Sequence, residues 1–216
     1  MRKTVAALTG VLVLAGWAVS AQETPKATKE GMKPAAGHEM GKGGAARSDA
    51  STIARAMSAA PPEIARNATV VGAGPDGKMR ELKKGTNDWV CMLGPNREPM
   101  CLDKEWQAWG DAWMNKKDPP QPKKIGIAYM LKGDEGASNT DPYATKQTAD
   151  NEWIVTGPHV MILPNDPAQL DAFPTDPKAG GPWVMWKGTK YAHIMVPTAP
   201  MPRTPAMKGA SKAMTK

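Results

Sequence analysis

A single phenylalanine, Phe173, stands in this chain against eight tryptophans and fifteen methionines. A core built from such a sequence must take much of its volume from indole rings and thioether side chains. Three tryptophans are spaced for that task. Asp103 is placed to cap a helix whose apolar face carries Trp106, Trp109 and Trp113 at i, i+3 and i+7, and the helix ends near Lys116 and Lys117, before Pro119. We read this face as packing surface rather than as a sugar-stacking platform, which would need exposed indoles. The interior Gly110 costs the helix about 1 kcal/mol relative to alanine.

The ordered body is flanked by segments of different composition. Residues 1–21 read as a removable export signal: Arg2 and Lys3, an apolar run, then Val19-Ser20-Ala21 before Gln22. The apolar run is shorter than the roughly 20 residues that span a bilayer, and no cysteine sits at the cleavage point to take a lipid. The expected product is soluble and exported, periplasmic or secreted from a bacterium, with no membrane span. Residues 22–50 are poor in large apolar side chains and read as a disordered leader. Residues 199–216 read as a disordered basic tail, leaving residues 51–198 as one globular domain. The formal net charge of +7 lies outside that domain, which carries equal numbers of basic and acidic side chains. No basic groove is implied, and nucleic acid is not an expected partner.

Cys91 and Cys101 are the only cysteines. In an oxidising compartment an even pair so close in sequence is expected to form a disulfide. On the loop-entropy model the bridge stabilises the fold by about 2–3 kcal/mol.

Short strands are expected over residues 68–72, 79–82, 89–92, 125–131, 153–155, 159–163, 183–186 and 191–196. The last two are joined by Lys187-Gly188-Thr189-Lys190 as an antiparallel hairpin. Helices are expected over residues 51–59 and, briefly, 166–172. The elements lack the strand-helix alternation of a parallel sheet, so the predicted class is α+β, a single small domain with a mainly antiparallel sheet and a Trp-faced helix.

Every histidine is followed two places later by methionine: His38-Glu39-Met40, His159-Val160-Met161 and His193-Ile194-Met195. In a strand, residues i and i+2 leave the same face. His159 with Met161, and His193 with Met195, would therefore each present an imidazole beside a thioether. Soft sulfur with imidazole is a Cu(I) ligand set, and an exported protein meets copper. The competing reading makes these residues ordinary strand core. The copper reading requires His159, Met161, His193 and Met195 to converge at one partly accessible point; packed apart, they are strand core.

Other patterns are weaker. The polar loop Gly133-Asp134-Glu135-Gly136-Ala137-Ser138-Asn139-Thr140-Asp141-Pro142 is rich in oxygen ligands. It lacks the sixth-place glycine and twelfth-place glutamate of a calcium hand, and reads as an ordered turn. Ser138 and the two histidines of the body could assemble a hydrolase, but no nucleophile elbow, zinc helix, dinucleotide fingerprint or phosphate loop is present, and no catalytic residue is nominated. The segments Gly85-Thr86-Asn87-Asp88-Trp89-Val90-Cys91, Pro99-Met100-Cys101, Gly136 to Tyr143 and Pro182-Trp183-Val184-Met185-Trp186 resemble predicted secreted bacterial proteins of unknown function. That resemblance implies one folded unit and no activity, ligand or site residue. Three functional classes follow: an exported binding or structural domain with a protein or glycan partner, a periplasmic Cu(I)-binding protein using His159, Met161, His193 and Met195, and a secreted hydrolase.

Overall fold

The computed structural model describes residues 42–74 and 76–202. The signal over residues 1–21, the motif His38-Glu39-Met40 and the tail beyond residue 202 lie outside them. Helix α1 spans Lys42–Met57 and so takes in residues 42–50, which composition had assigned to the leader. Ala50, Ala54 and Ala56 favour helix strongly. Ala56, with Ala59 and Ala60 beyond the helix end, is small enough to lie flush on the sheet, and all three are buried.

The predicted α+β class and mainly antiparallel sheet are present. After a one-turn helix α2 (Pro62–Ala65), strand β1 (Thr69–Ala73) pairs antiparallel with β2 (Met79–Lys83) and parallel with β3 (Val90–Leu93). Next come β4 (Pro99–Leu102), helix α3 (Lys104–Met114) and β5 (Gly126–Met130). Strands β6 (Ala137–Ser138) and β7 (Trp153–Ile154) form a separate two-stranded ribbon. The chain then makes β8 (His159–Leu163), two short 3-10 turns, β9 (Trp183–Met185) and β10 (His193–Pro197). The main sheet runs β2-β1-β3-β4-β5-β8-β10-β9, with β1 and β3 its one parallel pair. The predicted hairpin is β9 and β10, paired antiparallel. Among the described residues no helix is long and apolar enough to cross a membrane.

Strand β4 was not foreseen. The expected strand over 89–92 is present as β3, and Pro99–Leu102 pairs with it so that Cys91 stands directly opposite Cys101. The two are joined as a disulfide. Pro99 opens its strand, a position where its missing N–H is tolerated.

Alternation along the strands sorts the core onto two faces. Val70, Cys91 and Cys101 lie under α1 with Ala56 and Ala59. Leu102, Ala128 and Leu163 lie under α3 with Trp106 and Trp109. Asp103 fixes where α3 starts: its Oδ1 accepts from Trp106 N at 3.0 Å and its Oδ2 from Ile127 N on β5 at 2.7 Å. One carboxylate thus caps the helix and ties it to the sheet. Replacing it should cost the cap and leave a β5 amide without its acceptor. We expect D103A to lower stability by about 2–3 kcal/mol in urea denaturation, with the disulfide still formed.

Candidate functional site

Strands β8 and β10 are neighbours, but their register keeps the two histidines at opposite ends of the pair and both are buried, so the four residues share a face without converging at one accessible point. Met161 stands directly opposite Met195, with Ile162 opposite Ile194 and Val160 opposite Val196. The even-spaced partners share a face, so His159, Met161, Met195 and His193 lie on one side of the sheet. Because the strands are antiparallel, the two His-x-Met motifs are related by a local two-fold through the Met161 and Met195 rung. The histidines sit at its opposite ends, offset by four residues or about 13 Å along the strands.

Two further methionines complete a band that sequence reasoning missed. Met130 on β5 is directly opposite His159, and Met185 on β9 is directly opposite His193. Each imidazole therefore has an outer methionine across from it and the shared rung on its inner side. Both strands were legible; their pairing, which alone makes Met130 and Met185 neighbours of the histidines, was not. Met130, Met185, Met195 and both histidines are buried, and Met161 is half-buried.

The histidines are chemically alike. His159 Nδ1 lies 2.7 Å from the Gly157 carbonyl oxygen, and His193 Nδ1 lies 3.0 Å from that of Tyr191. A carbonyl oxygen only accepts, so Nδ1 carries the proton and Nε2 is left as a bare lone pair. Burial pushes both imidazoles down to about 4, against the opposing pull of those carbonyls; His159 adds a small further push on His193. Both are neutral at pH 7. Among the described residues neither Nε2 has a hydrogen-bond partner. Trp106 Nε1 is likewise buried without an acceptor, and its ring meets His193 edge-on at 5.2 Å, making it the competing partner for that lone pair.

Aromatic and methionine side chains wall the band. Trp109 and Trp186 also meet His193 nearly perpendicular, at 5.7 and 5.0 Å. Met161, Trp186 and Met201 pack against Trp183, Met185 and Met195. Met201 belongs to the segment following β10, which is held by Thr198 N donating to the Pro158 carbonyl at 2.8 Å. Among the described residues no three His, Cys, Asp or Glu side chains come together as metal ligands. An ion held by this band would draw on thioether sulfur.

The polar loop serves the tryptophans. Trp183 Nε1 donates to Asn139 Oδ1, Trp186 Nε1 to the Ser138 carbonyl and Trp113 Nε1 to that of Pro142. Ser138 Oγ donates to the Asn151 carbonyl at 2.7 Å and accepts from Asp141 N, so its hydroxyl is engaged by backbone rather than by a histidine. Burial raises Asp134 to about 6, against the amides of Thr156 and Gly136 that donate to it. Trp106 and Trp109 are buried, as packing requires. A groove of about 390 Å³ beside α1 and α2, lined by Met57, Ala60, Arg66 and Lys132, shares no residue with the band.

No family model, curated protein sequence or solved structure matches the chain.

The buried histidines set a pH dependence. A depressed pKa means that each contributes stability that is whole above pH 6.5 and lost as pH falls through about 4, at about 3 kcal/mol per histidine. Asp134 acts in the opposite sense: its contribution is present below pH 3.8 and lost as pH rises through about 6. The two histidines outweigh it. Metal-free protein should lose stability from pH 6.5 to 4 in urea titrations, and H159Q/H193Q should flatten or reverse that slope while D134N steepens it.

Proposed function

We propose that this is an exported protein that binds Cu(I) on the His–Met band. The observation that carries the reading is the pair of buried imidazoles whose Nε2 lone pairs lack partners among the described residues and share a sheet face with Met130, Met161, Met185 and Met195. A buried acceptor left unpaired costs about 1–3 kcal/mol, and native exceptions call for an explanation such as a bound ion. Thioether and imidazole together favour a soft ion. Both imidazoles are neutral near pH 7, so no proton has to leave when the ion arrives. The Nδ1 contacts to Gly157 and Tyr191 fix each ring's tautomer, as ligating histidines require.

The four-residue offset favours one histidine per ion. Each imidazole would work with its outer methionine and the shared rung rather than with the other imidazole. Export fits the disulfide, which persists in oxidising compartments, and it is there that thioether sites meet copper.

The test is an anaerobic competition titration against bathocuproine disulfonate, using wild type, M161L/M195L, H159Q/H193Q and W106F. Leucine is close to isosteric with methionine and lacks only the sulfur, so the first variant keeps the core filled. We expect wild type to bind tighter than micromolar. M161L/M195L should be weaker by about 100-fold with unchanged near-UV circular dichroism, and W106F should bind as wild type does. Absence of binding, or affinity untouched in both His and Met variants, would overturn the reading and leave a domain whose partner is a protein or glycan.

A further inference from the structure

The Trp-faced helix does more than fill space beside the band. Trp109, Trp113 and Trp186 form a mutual stack with ring centroids 5.9 to 6.4 Å apart and planes within 10° of parallel. Tyr143 continues the stack on Trp113 at 6.0 Å and 4°. The three rings form a triangle, and His193 lies beside two of its corners, 5.0 Å from Trp186 and 5.7 Å from Trp109. The third corner is toward the surface, where Trp113 is half-buried and Tyr143 is 39% exposed.

We propose that Trp186, Trp109 and Trp113 carry single electrons from the His193 end of the band to a strong one-electron oxidant that meets the protein at Trp113 and Tyr143. This rests on the Cu(I) reading. Trp109 and Trp113 sit one turn apart on α3, whereas Trp186 comes from the turn after β9 and Tyr143 from the loop after Pro142, so helix periodicity alone does not align the set. Edge-to-face packing would fill the same space, since aromatic pairs favour it as readily as offset stacking. Trp186 holds its place at a backbone cost. Its φ is +57°, a left-handed conformation that is strained for a residue with a Cβ. The surroundings over-determine it: its N–H donates to the Asn139 carbonyl, its Nε1 to the Ser138 carbonyl, and its own carbonyl accepts from Thr189 N and Oγ1.

The hydrogen bonds also suit reversible electron loss. An indole radical cation readily gives up its N–H proton to a base, but Trp113 and Trp186 donate to peptide carbonyls, which do not take a proton. An oxidised ring therefore keeps its proton and is restored by one electron alone. In the step proposed, Cu(I) loses one electron to become Cu(II), each tryptophan in turn loses one and regains one, and the external oxidant is reduced by one. No bond forms or breaks. Tyr143 differs: its Oη lies 2.9 Å from Tyr191 Oη, and an oxidised phenol there releases its proton to water, which makes it a terminus rather than a relay.

Flash-generated tris(bipyridyl)ruthenium(III) supplies the oxidant. The full chain is loaded with Cu(I), and the appearance of Cu(II) is followed by electron paramagnetic resonance and transient absorption in wild type, W113F, Y143F and W89F. Trp113 and Tyr143 lie outside the His–Met band, so Cu(I) affinity, checked in each variant, should not change. Trp89 packs beneath α1, on the other core cluster, and serves as the control. We expect Cu(I) oxidation at least tenfold slower in W113F, an indole radical preceding Cu(II) in wild type, and no change in W89F. Equal rates in copper-loaded W113F and wild type would overturn this proposal alone. Failure of wild type to load copper would overturn both readings.

Discussion

Everything at the candidate site hangs on the register between β8 and β10. Side chains alternate strictly along a strand, so a slip of one residue would turn His159 and Met161, or His193 and Met195, to the opposite face. The register is held from both faces: Ile162 meets Ile194 on one, Met161 meets Met195 on the other, and the outer strands β5 and β9 lock the pair laterally. The same alignment decides which methionine stands across from each histidine. A band of two imidazoles and four thioethers is thus assembled by backbone ladders, with each ring's orientation set by one carbonyl two residues upstream.

The second constraint is the indole N–H. A core of tryptophan must place each ring's one donor as well as its bulk. The loop after β5 supplies three acceptors within a few residues, at Ser138, Asn139 and Pro142. It can do so because it is itself tied down, through Asp134 at one end and through Ser138 and Asn151 in its middle. A stretch that reads in sequence as an ordered turn is therefore part of the wall of the core. Trp183 and Trp186 in turn pack against Met185 and Met195, so the polar loop and the His–Met band are mechanically linked although they do not share a side chain.

Elements that announce themselves locally were legible. Asp103 followed by tryptophans at helical spacing identified α3, and the alternation of residues 159–163 gave β8 at its observed bounds. The hairpin of β9 and β10 followed from a short glycine-bearing turn. What was not legible depended on contacts distant in sequence. Strand β4 begins at a proline and carries a cysteine, so only its pairing with β3 reveals it. The start of α1 at Lys42 lies in a stretch that includes Gly43 and Gly44, which disfavour helix, so no local signal marks it. Of the band, the four His-x-Met residues could be named from spacing, while Met130 and Met185 could not, because nothing in their own segments distinguishes them from core.

The disulfide lies on the α1 face of the sheet, with both cysteines fully buried among alanines and valine, whereas the methionines and histidines occupy the α3 face further along. Thiolates outcompete thioethers for soft metals. On the Cu(I) reading, bridging Cys91 to Cys101 removes from the chain the two donors that would otherwise take the ion first. Chronology then becomes part of specificity: a polypeptide that meets copper before oxidation offers a dithiol trap in an unfinished hairpin, and one that meets it afterwards offers only the sulfur ethers and imidazoles of the finished sheet.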